Sequence, residues 1–501
     1  MIREANVLYD NGREVEVPSG VKSYLSRLMN IQWDKVEWDG MVEVPPLQTD
    51  DSLYSVLKKY ISSERISLDP VERFKHSIGM SSLEIVRAKK GRIPPIVDAV
   101  VYPLDHEAEE MVTNFSENHV TLTIAGGRTS VTGGIKSKGK GMTVCISTSN
   151  MKDLVISGKI VSAGAGLTGE ELEGKLKENG LTCGFFPESF SHSTVGGWIA
   201  TRASGQESNE YGDIENLLLG VRLARKGGVL KDFAAPRYSA GLMAKDVALG
   251  SEGQNGLILS AYLESRAAPR RKYYYTHIFK SFYDAIDYAS SIDRFPTVMR
   301  IMDETETYIQ LLSLEEKKRK MLNRYLFLRG ISNGSLMVTI NNEIPLPRFI
   351  KKGIWLGSSG ARMWEEKRFE RPNMSNTLWK RGVVVDTLET SVSWDEVKDL
   401  HRSAIDTFHR TLKDLESNGL IMAHLSHQYP GGTCIYFSFM FRSRDEETTL
   451  VTIRNELMEV ILSKGGTITH HHGIGSYFTK YVNPLILNVQ RYLRDRRFKQ
   501  V

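Results

Sequence analysis

Three segments of the sequence combine glycine with small hydroxyl residues, a composition that can bind phosphate groups. They are IAGGRTSVTGGI at residues 124–135, the stretch 187–223 beginning PESFSHSTVGGWIATRASG, and GSEGQNGLI from residue 250. Glycine lets backbone N–H groups converge on a phosphate without obstruction by a Cβ atom, and Ser130 and Thr132 add hydroxyl donors. One such loop alone is also typical of a hairpin turn. Three in succession favour an extended ligand contacted at several points, such as a dinucleotide.

A second group of candidate catalytic residues is the histidine triplet His470, His471 and His472, in the segment TITHHHGIG. If this segment is extended, His470 and His472 face one side and His471 the other. Imidazoles suit an acid/base or oxyanion role at neutral pH. A metal site is the alternative, and it would need a further ligand such as His424 or His427.

A tyrosine and an arginine are candidates to act with these histidines. Tyr436 lies in CIYFSFMF, an alternating strand in which a tyrosine is most often a core residue. A phenol is a poor base near neutral pH unless cations stabilise the phenolate, and the histidines and an arginine can supply them. Arg381, in LWKRGVVVD, carries a guanidinium suited to bidentate phosphate recognition, or it belongs with Lys380 to a solvated strand edge.

The periodicity of the chain predicts an α+β protein in four parts. Residues 1–95 carry helical patterns such as SLYSVLKKYI. Residues 96–270 begin strand–helix–strand and continue as short strands broken by glycine. Residues 271–464 predict a second α+β domain, with a helix at HIFKSFYDAIDYASSI and strands at SLMVTINNEI and TCIYFSFMF. Residues 465–501 hold the histidines and a final helix. The run LEEKKRKML predicts a solvated helix face.

Composition and charge exclude several classes of protein. Of 501 residues, 41% are hydrophobic and 25% charged, which is typical of soluble globular proteins rather than disordered or membrane-spanning chains. The net charge is only +5, and residues 480–501 alone carry an excess of five basic residues over acidic ones. Because such mild basicity does not by itself indicate nucleic-acid binding, we expect no nucleic-acid partner. Three widely spaced cysteines exclude a disulfide framework. The charged residues near the start of the sequence argue against a signal peptide. The small number of cysteines favours a reducing compartment, so we expect a cytoplasmic protein.

The three loops together resemble the FAD-binding domain of vanillyl-alcohol-oxidase-like flavoproteins, the PCMH-type fold. Within that group the chain resembles the alkyldihydroxyacetonephosphate synthase (alkylglycerone-phosphate synthase) family, whose loops read like PIGGGTSV, PDSxxxST-GGWIATRASG and GSEGTLG. Downstream, WKRGVVVDTLETSVSWDEV, CIYFSF and HHHGIG match in order. Arg128, in place of a third glycine, and Gln254-Asn255, in place of Thr-Leu, depart from the pattern. The resemblance implies a two-subdomain PCMH-type FAD-binding domain, an α+β cap domain and a helical N-terminal region.

The resemblance also implies where FAD is held and that it is not covalently linked, because Thr129 stands where covalent members of the superfamily carry histidine. Gly126 and Gly127 would allow close approach to the pyrophosphate, and Arg128 would either pair with it or obstruct it. The residues implied to line FAD are Ile124, Ala125, Gly126, Gly127, Arg128, Thr129, Ser130, Pro187, Glu188, Ser189, Phe190, Ser191, His192, Ser193, Ala200, Thr201, Arg202, Ala203, Gly250, Ser251, Glu252, Gly253, Gln254, Asn255 and Gly256.

The activity implied by the resemblance belongs to ether-lipid synthesis. The acyl chain of acyl-dihydroxyacetone phosphate is exchanged for a fatty alcohol without net redox change. Tyr436 would take the substrate C1 proton, helped by His471 or His472, and Arg381 would hold the phosphate. The alternative is an FAD-linked oxidase or dehydrogenase of a 2-hydroxy acid or other alcohol, although its HxGDGNxH metal motif is replaced here by HLSHQYPGGTCIYF. A flavin-binding protein without catalysis is a third reading.

The C-terminal tail predicts an amphipathic helix. Leu485, Ile486, Val489 and Leu493 fall on one stripe with basic residues largely around it. Such a helix either packs on its parent domain or lies peripherally on an anionic membrane surface. The partners we expect are a small-molecule lipid phosphate and a second copy of the chain in a homodimer, with no bound metal ion.

Overall fold

Three β-sheets organise the chain and separate it into regions with their own apolar cores. Among the described residues, no helix combines the length and apolar character needed to cross a bilayer. Residues 496–501 of the predicted tail helix, which include the basic residues Arg496, Arg497 and Lys499, lie outside the described part of the chain. The computed structural model describes residues 3–46, 50–115, 119–135, 141–239 and 241–495, except for the side chains of residue 371 and residues 490–495.

The N-terminal region is helical as predicted, but it also contributes strands. Helix α1 buries Val21, Leu25 and Met29 against apolar residues of the C-terminal half, so this region packs on the cap rather than standing alone. Helix α3 begins at Pro70, where the Asp69 carboxylate accepts hydrogen bonds from two backbone N–H groups. The elements are β1 (Arg3–Asn6), α1 (Ser19–Met29), β2 (Met41–Val44), α2 (Asp51–Leu57), β3 (Ile66–Ser67), α3 (Pro70–Lys75) and α4 (Ser82–Lys89).

A four-stranded sheet carries the first glycine-rich loop. Its order is β3-β4-β6-β5, and β4 and β5 both run parallel to β6. Strand β5 ends at Ala125, so the loop starting at Gly126 leaves the carboxyl end of a parallel strand, where ligands bind in open α/β sheets. The elements added are β4 (Ala99–Val101), α5 (Asp105–Asn114), β5 (Val120–Ala125) and β6 (Met142–Ser147).

A five-stranded sheet with antiparallel pairings carries the other two loops. Its order is β11-β10-β12-β8-β7, while β9 and β13 pair separately. Two connected sheets of this kind agree with the predicted two-subdomain FAD-binding domain. The elements are β7 (Leu154–Ser157), β8 (Ile160–Gly164), α6 (Gly169–Glu178), β9 (Leu181–Thr182), α7 (Val195–Thr201), α8 (Ser208–Tyr211), α9 (Ile214–Leu217), β10 (Leu218–Arg225), β11 (Gly228–Lys231), α10 (Ala244–Ala248), β12 (Leu257–Glu264) and β13 (Arg266–Ala267).

The cap is a seven-stranded sheet of order β17-β14-β16-β15-β19-β20-β18. The predicted helix beginning HIF is wrong at its start, because His277–Phe279 end a strand and the helix begins at Phe282. The elements are β14 (Lys272–Phe279), α11 (Phe282–Ser290), β15 (Val298–Met302), α12 (Glu304–Leu312), α13 (Glu316–Leu328), β16 (Ser335–Asn342), β17 (Ile354–Gly357), α14 (Ser359–Lys367), α15 (Arg371–Trp379), β18 (Val384–Ser393), α16 (Val397–Asp414), β19 (Asn418–Tyr429), β20 (Gly432–Arg442), α17 (Glu446–Ser463) and α18 (Pro484–Asp495).

Strand β20 shows how the cap sheet divides its two faces. Phe437, Phe439 and Phe441 are fully buried in the core formed with α16 and α17. The alternate residues Tyr436 and Ser438 line a cavity on the opposite face. Because successive strand side chains point to opposite faces, the apolar set fixes the register and thereby directs Tyr436 into the cavity.

Candidate active site

One cavity of about 1070 Å³ joins the glycine-rich loops to the histidine triplet and the cap. His471, His472 and Tyr436 line it together with residues of all three loops. The structure thus brings together groups that are up to about 350 residues apart in sequence. The predicted loop residues that line the cavity are Ile124, Gly126, Gly127, Arg128, Thr129, Ser130, Pro187, Glu188, Ser189, Ser193, Ala200, Thr201, Ala203, Glu252, Gly253 and Gly256.

Other predicted loop residues do not line this cavity, and several of them have side-chain partners elsewhere. Phe190 stacks on Phe369 with ring centroids 5.0 Å apart. His192 lies 2.8 Å from the Tyr9 hydroxyl, and Arg202 pairs with Glu215. The Asn255 amide donates to the Val247 carbonyl at 2.9 Å. The members outside the cavity lining are Ala125, Phe190, Ser191, His192, Arg202, Gly250, Ser251, Gln254 and Asn255.

The first two loops pack so closely that glycine is required between them. A Cβ atom on Gly127 would lie 1.9 Å from the His192 carbonyl oxygen, and one on Gly126 would lie 2.4 Å from Thr194 Oγ1. Arg128, in place of the expected third glycine, takes a φ of 60°, and its guanidinium donates to the Lys75 carbonyl at 3.0 Å. This backbone conformation lies in the left-handed region that glycine adopts without strain.

These loops present backbone and hydroxyl groups that can bind a phosphate-bearing cofactor. Thr148 Oγ1 is buried, lines the cavity beside Gly126, and has no hydrogen-bond partner among the described residues. A buried hydroxyl without a partner costs free energy unless a ligand satisfies it. The cradle of loop backbone and this hydroxyl suit a phosphate-bearing cofactor.

A row of side chains across the cap sheet builds the reaction end of the cavity. Tyr436 on β20 lies directly opposite His424 on β19 and Glu389 on β18. His424 in turn lies opposite Met302 on β15. Directly opposed residues of neighbouring strands share a face, so the four side chains form one lateral row. The rings of Tyr436 and His424 stack with centroids 4.9 Å apart.

A buried arginine stands at the end of this row. One Arg300 nitrogen lies 2.8 Å from Glu306 Oε1 and 2.9 Å from His424 Nδ1, while His424 Nδ1 lies 3.0 Å from Glu306 Oε2. All three residues line the cavity. Arg300, which is paired with Glu306, thus contacts His424, the residue that stacks on Tyr436.

The histidine triplet is not extended, contrary to the alternation predicted for it; it forms a bend around Glu389. The backbone N–H groups of His470, His471 and His472 all donate to this carboxylate, at 2.5, 3.1 and 2.9 Å. The Thr469 hydroxyl donates to it as well, at 2.5 Å. Burial opposes ionisation of Glu389, but the imidazoles of His471, His472 and His470 and the Thr469 hydroxyl hold its pKa well below the usual range. The ionised carboxylate thus fixes the shape of the triplet.

A second carboxylate ties the same segment to the third glycine-rich loop. Glu252 accepts hydrogen bonds from the backbone N–H groups of Ile474, at 2.7 Å, and Gly475, at 3.0 Å. The Ser476 N–H donates to the Gly133 carbonyl at 3.2 Å, which adds the first loop. The histidines are therefore held between the cap sheet and the FAD-binding region.

The hydrogen bonds around His470 and His471 define their tautomers. Burial and Asp213 raise the pKa of the Tyr429 phenol, which donates to Asp213 at 2.8 Å. Tyr429 then accepts from His470 Nε2, 2.7 Å away. With both rings neutral, this arrangement makes His470 Nδ1 the acceptor for His471 Nδ1 at 3.0 Å. Burial lowers the pKa of His471 well below its usual value. A neutral His471 protonated on Nδ1 leaves Nε2 as a proton acceptor.

His427 is directed into the cavity by a β-bulge. The register of β19 shifts between Ser426 and Gln428, and His427 takes a φ of 53°. Its Nδ1 lies 2.6 Å from the Ser208 hydroxyl, and its ring stacks on His470 with centroids 5.1 Å apart. Burial lowers the pKa of His427 well below its usual value, so this imidazole is neutral at pH 7.

Among the described residues, the group with ligand atoms close enough to hold a metal is Glu389, Cys434, His470 and His471, all within 4.8 Å of one another. It does not include His424 or His427, the ligands considered from sequence. The Glu389 oxygens already accept from Thr469 and three backbone N–H groups. This carboxylate serves to anchor the loop.

The structure does not bring Arg381 to the cavity. Its guanidinium pairs with Glu14 of the N-terminal region and donates to the Thr377 carbonyl at 3.3 Å. Arg368 lines the cavity instead, and it is 6% exposed. Its Nη1 donates to Oε1 of the buried Glu207 at 3.0 Å, so this guanidinium also has an ion pair. Its ring neighbours are Phe186 and Phe369, at 4.8 and 4.9 Å, and its Nε has no partner among the described residues. The sequence offered no signal that separated these two arginines.

Acid is expected to destabilise the protein through His427 and His471. Both have folded-state pKa values below the unfolded value, which is about 6.5, so below that pH the unfolded chain binds protons that the folded chain does not. Each histidine then removes about 1.4 kcal/mol of stability per pH unit. Denaturant titrations at several pH values measure this, and His427→Gln should reduce the slope below pH 6.5. An unchanged slope in that variant would contradict the assignment.

The fold and the site define an FAD-linked flavoprotein. A family model described as FAD binding domain matches residues 97–234, and one described as FAD linked oxidases, C-terminal domain matches residues 349–493. FAD is therefore the cofactor of this chain. The 4-ethylphenol oxidase from Gulosibacter chungangensis shares the fold, with a TM-score of 0.64 at 12% identity over 89% of this chain and 94% of that one.

Among individual proteins, the chain is similar to named synthases. Alkyldihydroxyacetonephosphate synthase of Dictyostelium discoideum is 28% identical over 91% of this chain and 80% of its own length. That of Trypanosoma brucei brucei is 28% identical over 87% and 76%. A solved structure of alkyldihydroxyacetonephosphate synthase superposes with a TM-score of 0.79 at 25% identity, over 95% of this chain and 90% of that one. The chain is thus similar to alkyldihydroxyacetonephosphate synthases along most of its length.

Proposed function

We propose that this protein exchanges the acyl chain of acyl-dihydroxyacetone phosphate for a fatty alcohol. The C1–O bond to the fatty acid breaks, a C1–O bond to the alcohol forms, and the alcohol proton and the carboxylate account for the remaining charge, so no electrons are gained or lost. The observation that carries the proposal is a single cavity shared by the FAD loops, the Tyr436–histidine cluster and an apolar arm. When bound, FAD supplies the isoalloxazine ring against which C1 reacts.

Tyr436 and His471 are the groups we assign to proton transfer at C1. Both line the cavity, and their rings are near parallel with centroids 6.1 Å apart. The neutral His471 has Nε2 free to accept a proton, and His472 lies edge-on to Tyr436 at 5.4 Å. Arg300 and Glu306 hold His424 against the opposite side of the Tyr436 ring, which fixes the orientation of the phenol.

The apolar arm suits a long hydrocarbon chain. It extends from the cap sheet towards α1, α12 and α15, and its lining contains aliphatic and thioether side chains. Burying a methylene group stabilises a complex by about 0.8 kcal/mol, so such an arm favours long chains over short ones. The residues of this arm are Val21, Leu25, Ile309, Leu311, Leu314, Leu322, Met374, Leu378, Met422 and Met440.

We assign the substrate phosphate to Arg368 rather than Arg381. A charged hydrogen bond contributes about 1.5–3 kcal/mol, so Arg368→Lys should raise KM for the phosphate ester by about 10–100-fold, because an ammonium cannot copy the guanidinium fork. Arg381→Lys is the matched control, and it should leave KM within about twofold because its ion pair with Glu14 lies outside the cavity. Steady-state kinetics with a phosphate and a non-phosphorylated substrate measure this. A larger effect of Arg381→Lys would reverse the assignment.

An FAD-linked dehydrogenase is the second candidate, supported by the mitochondrial D-lactate dehydrogenase [cytochrome] of Arabidopsis thaliana, which is 26% identical over 87% of this chain and 75% of its own length. Incubation of the protein with acyl-dihydroxyacetone phosphate and a labelled long-chain alcohol, and separately with a 2-hydroxy acid, distinguishes the synthase from the dehydrogenase. Labelled ether supports the synthase. Bleaching of the flavin by a 2-hydroxy acid, without ether formation, supports the dehydrogenase.

Four further predictions complete this proposal. FAD is held without a covalent bond, as Thr129 in the first loop suggests. The protein forms a homodimer and acts on a lipid phosphate. The tail contacts membranes: Leu485 and Val489 on α18 are 71% and 58% exposed, so the described part of the stripe is not packed on the parent domain.

A further inference from the structure

His427 reaches the cavity only through a strained backbone. His424 and Ser426 line the cavity, so strict alternation along β19 would turn His427 to the opposite face, towards the core. The β-bulge brings it back, and His427 lines the cavity with a φ of 53°. This left-handed conformation is unfavourable for a residue with a Cβ atom, and it persists only where neighbouring contacts maintain it.

Helix α8 of the FAD-binding region supplies these contacts. The Ser208 hydroxyl lies 2.6 Å from His427 Nδ1. The next residue, Asn209, accepts from the Gln428 N–H at 2.9 Å and lies 2.8 Å from the Gln428 side-chain oxygen, to which it donates. Asn209 also donates to the Pro296 carbonyl at 3.0 Å, just before β15. The bulge is therefore held by a helix of the second glycine-rich segment, outside its own sheet.

The contact with Ser208 favours one tautomer of His427. The Ser208 hydroxyl has no second hydrogen-bond partner among the described residues, so accepting from Nδ1 would leave its own proton unpaired in a buried position. Donation from the hydroxyl to Nδ1 avoids that cost. Because burial lowers the pKa of His427 well below its usual value, the ring is neutral, and this arrangement places its proton on Nε2.

The Nε2–H group lies at the same end of the cavity as the proton-transfer residues. The centroid of the His427 ring is 5.3 Å from that of His471, and the His471 ring is 6.1 Å from that of Tyr436. Within the part of the chain that the structure describes, nothing accepts a hydrogen bond from His427 Nε2. A buried N–H donor without a protein acceptor is available to an oxygen atom of a ligand.

We infer that His427 donates a hydrogen bond to the oxygen on C2 of the substrate and stabilises the negative charge that forms there. This inference rests on the proposed function, in which C1 lies next to the C2 carbonyl group. When the C1 proton passes to Tyr436 or His471, the C–H electron pair forms a C1–C2 double bond, and a carbonyl electron pair moves to the C2 oxygen. A neutral imidazole suits this oxyanion because it donates a hydrogen bond and keeps its proton.

Two substitutions separate the N–H donor from the backbone of the bulge. Asparagine tolerates a left-handed φ, but its side chain is too short to place an N–H at the position of Nε2. His427→Asn should therefore lower kcat for ether formation by about 10²–10³-fold, as does loss of one oxyanion donor elsewhere. His427→Gln has a longer side chain with an N–H group and should recover about tenfold of this loss. His409→Asn, at an exposed position of α16, is the matched control and should leave kcat unchanged.

Ligand binding gives a second measurement that does not depend on turnover. Phosphoglycolohydroxamate resembles the C1–C2 enolate, whereas glycerol 3-phosphate carries the phosphate but has no carbonyl group at C2. Each is titrated into the FAD-loaded, full-length protein by isothermal calorimetry. His427→Asn should weaken binding of the enolate analogue by about 10–100-fold and change the Kd of glycerol 3-phosphate by less than about twofold. Ser208→Ala, which removes the group that favours the tautomer, should weaken binding of the analogue by about 3–10-fold.

Three outcomes would overturn the inference. The first is an unchanged kcat in His427→Asn while the unmodified chain forms ether, which would leave the proposed function intact. The second is an equal loss of affinity for the analogue and for glycerol 3-phosphate in a folded His427→Asn variant, which would make the residue structural. The third is failure of the unmodified chain to bind the enolate analogue. Failure to form ether contradicts the proposed function itself, so the two results are read separately.

Discussion

Tyr436→Phe is expected to lower the rate of alcohol incorporation by about 10²–10⁴-fold while FAD stays bound, because removal of a proton-transfer group typically costs that much. The phenylalanine ring keeps the stacking on His424, and Tyr436 is distant in sequence from the glycine-rich loops. The loss should therefore appear in kcat rather than in cofactor content. Single-turnover and steady-state assays on the FAD-loaded variant measure it.

Tyr288→Phe is the matched control, since this tyrosine packs on Phe279 in the cap core and does not line the cavity. It should retain near-normal turnover. His471→Ala should resemble Tyr436→Phe, because it removes the neutral imidazole whose Nε2 is available as an acceptor. Near-normal activity of Tyr436→Phe would show that another group takes the C1 proton.

Gly127→Ala is expected to weaken FAD retention by about 10–100-fold. The added Cβ would lie 1.9 Å from the carbonyl oxygen of His192 and 2.7 Å from its carbonyl carbon, and both are backbone atoms that cannot swing aside. Overpacking of this kind costs about 1–3 kcal/mol, which converts to this fold-change if the two loops separate to relieve it. The ratio of flavin to protein absorbance after gel filtration measures the loss.

Gly174→Ala provides the control for this change. Gly174 lies in helix α6 with nothing within 4 Å of the position of its Cβ, so alanine there should leave FAD retention unchanged and slightly stabilise the helix. Heat or acid should release intact FAD from the unmodified protein, as Thr129 predicts. Equal flavin content in the two glycine variants would show that close packing of the loops is not required for FAD binding.

The sequence by itself determined the class of ligand and most elements of the fold. Glycine at 126 and 127 and the stretch GGWIATRASG are local patterns, and their backbone requirements can be recognised without knowing what lies opposite them. In CIYFSFMF the residue type favoured a core position for Tyr436, but the period of two places it on the face opposite Phe437, Phe439 and Phe441, as the structure shows. The predicted helix was wrong at His277–Phe279, because these residues end strand β14 and the helix begins only at Phe282.

The tertiary structure alone decided which polar residues meet. Glu389 and the histidine triplet are about 80 residues apart, and the carboxylate shapes the triplet only because the segment before it runs beside β18, where the Thr467 N–H donates to the Ser391 carbonyl. Arg300 reaches Tyr436 through His424 for the same reason, while Arg381, suited to phosphate by residue type, is held by Glu14. A side chain's chemistry is local, but its partners depend on strand order, register and packing between distant segments, which no short pattern records.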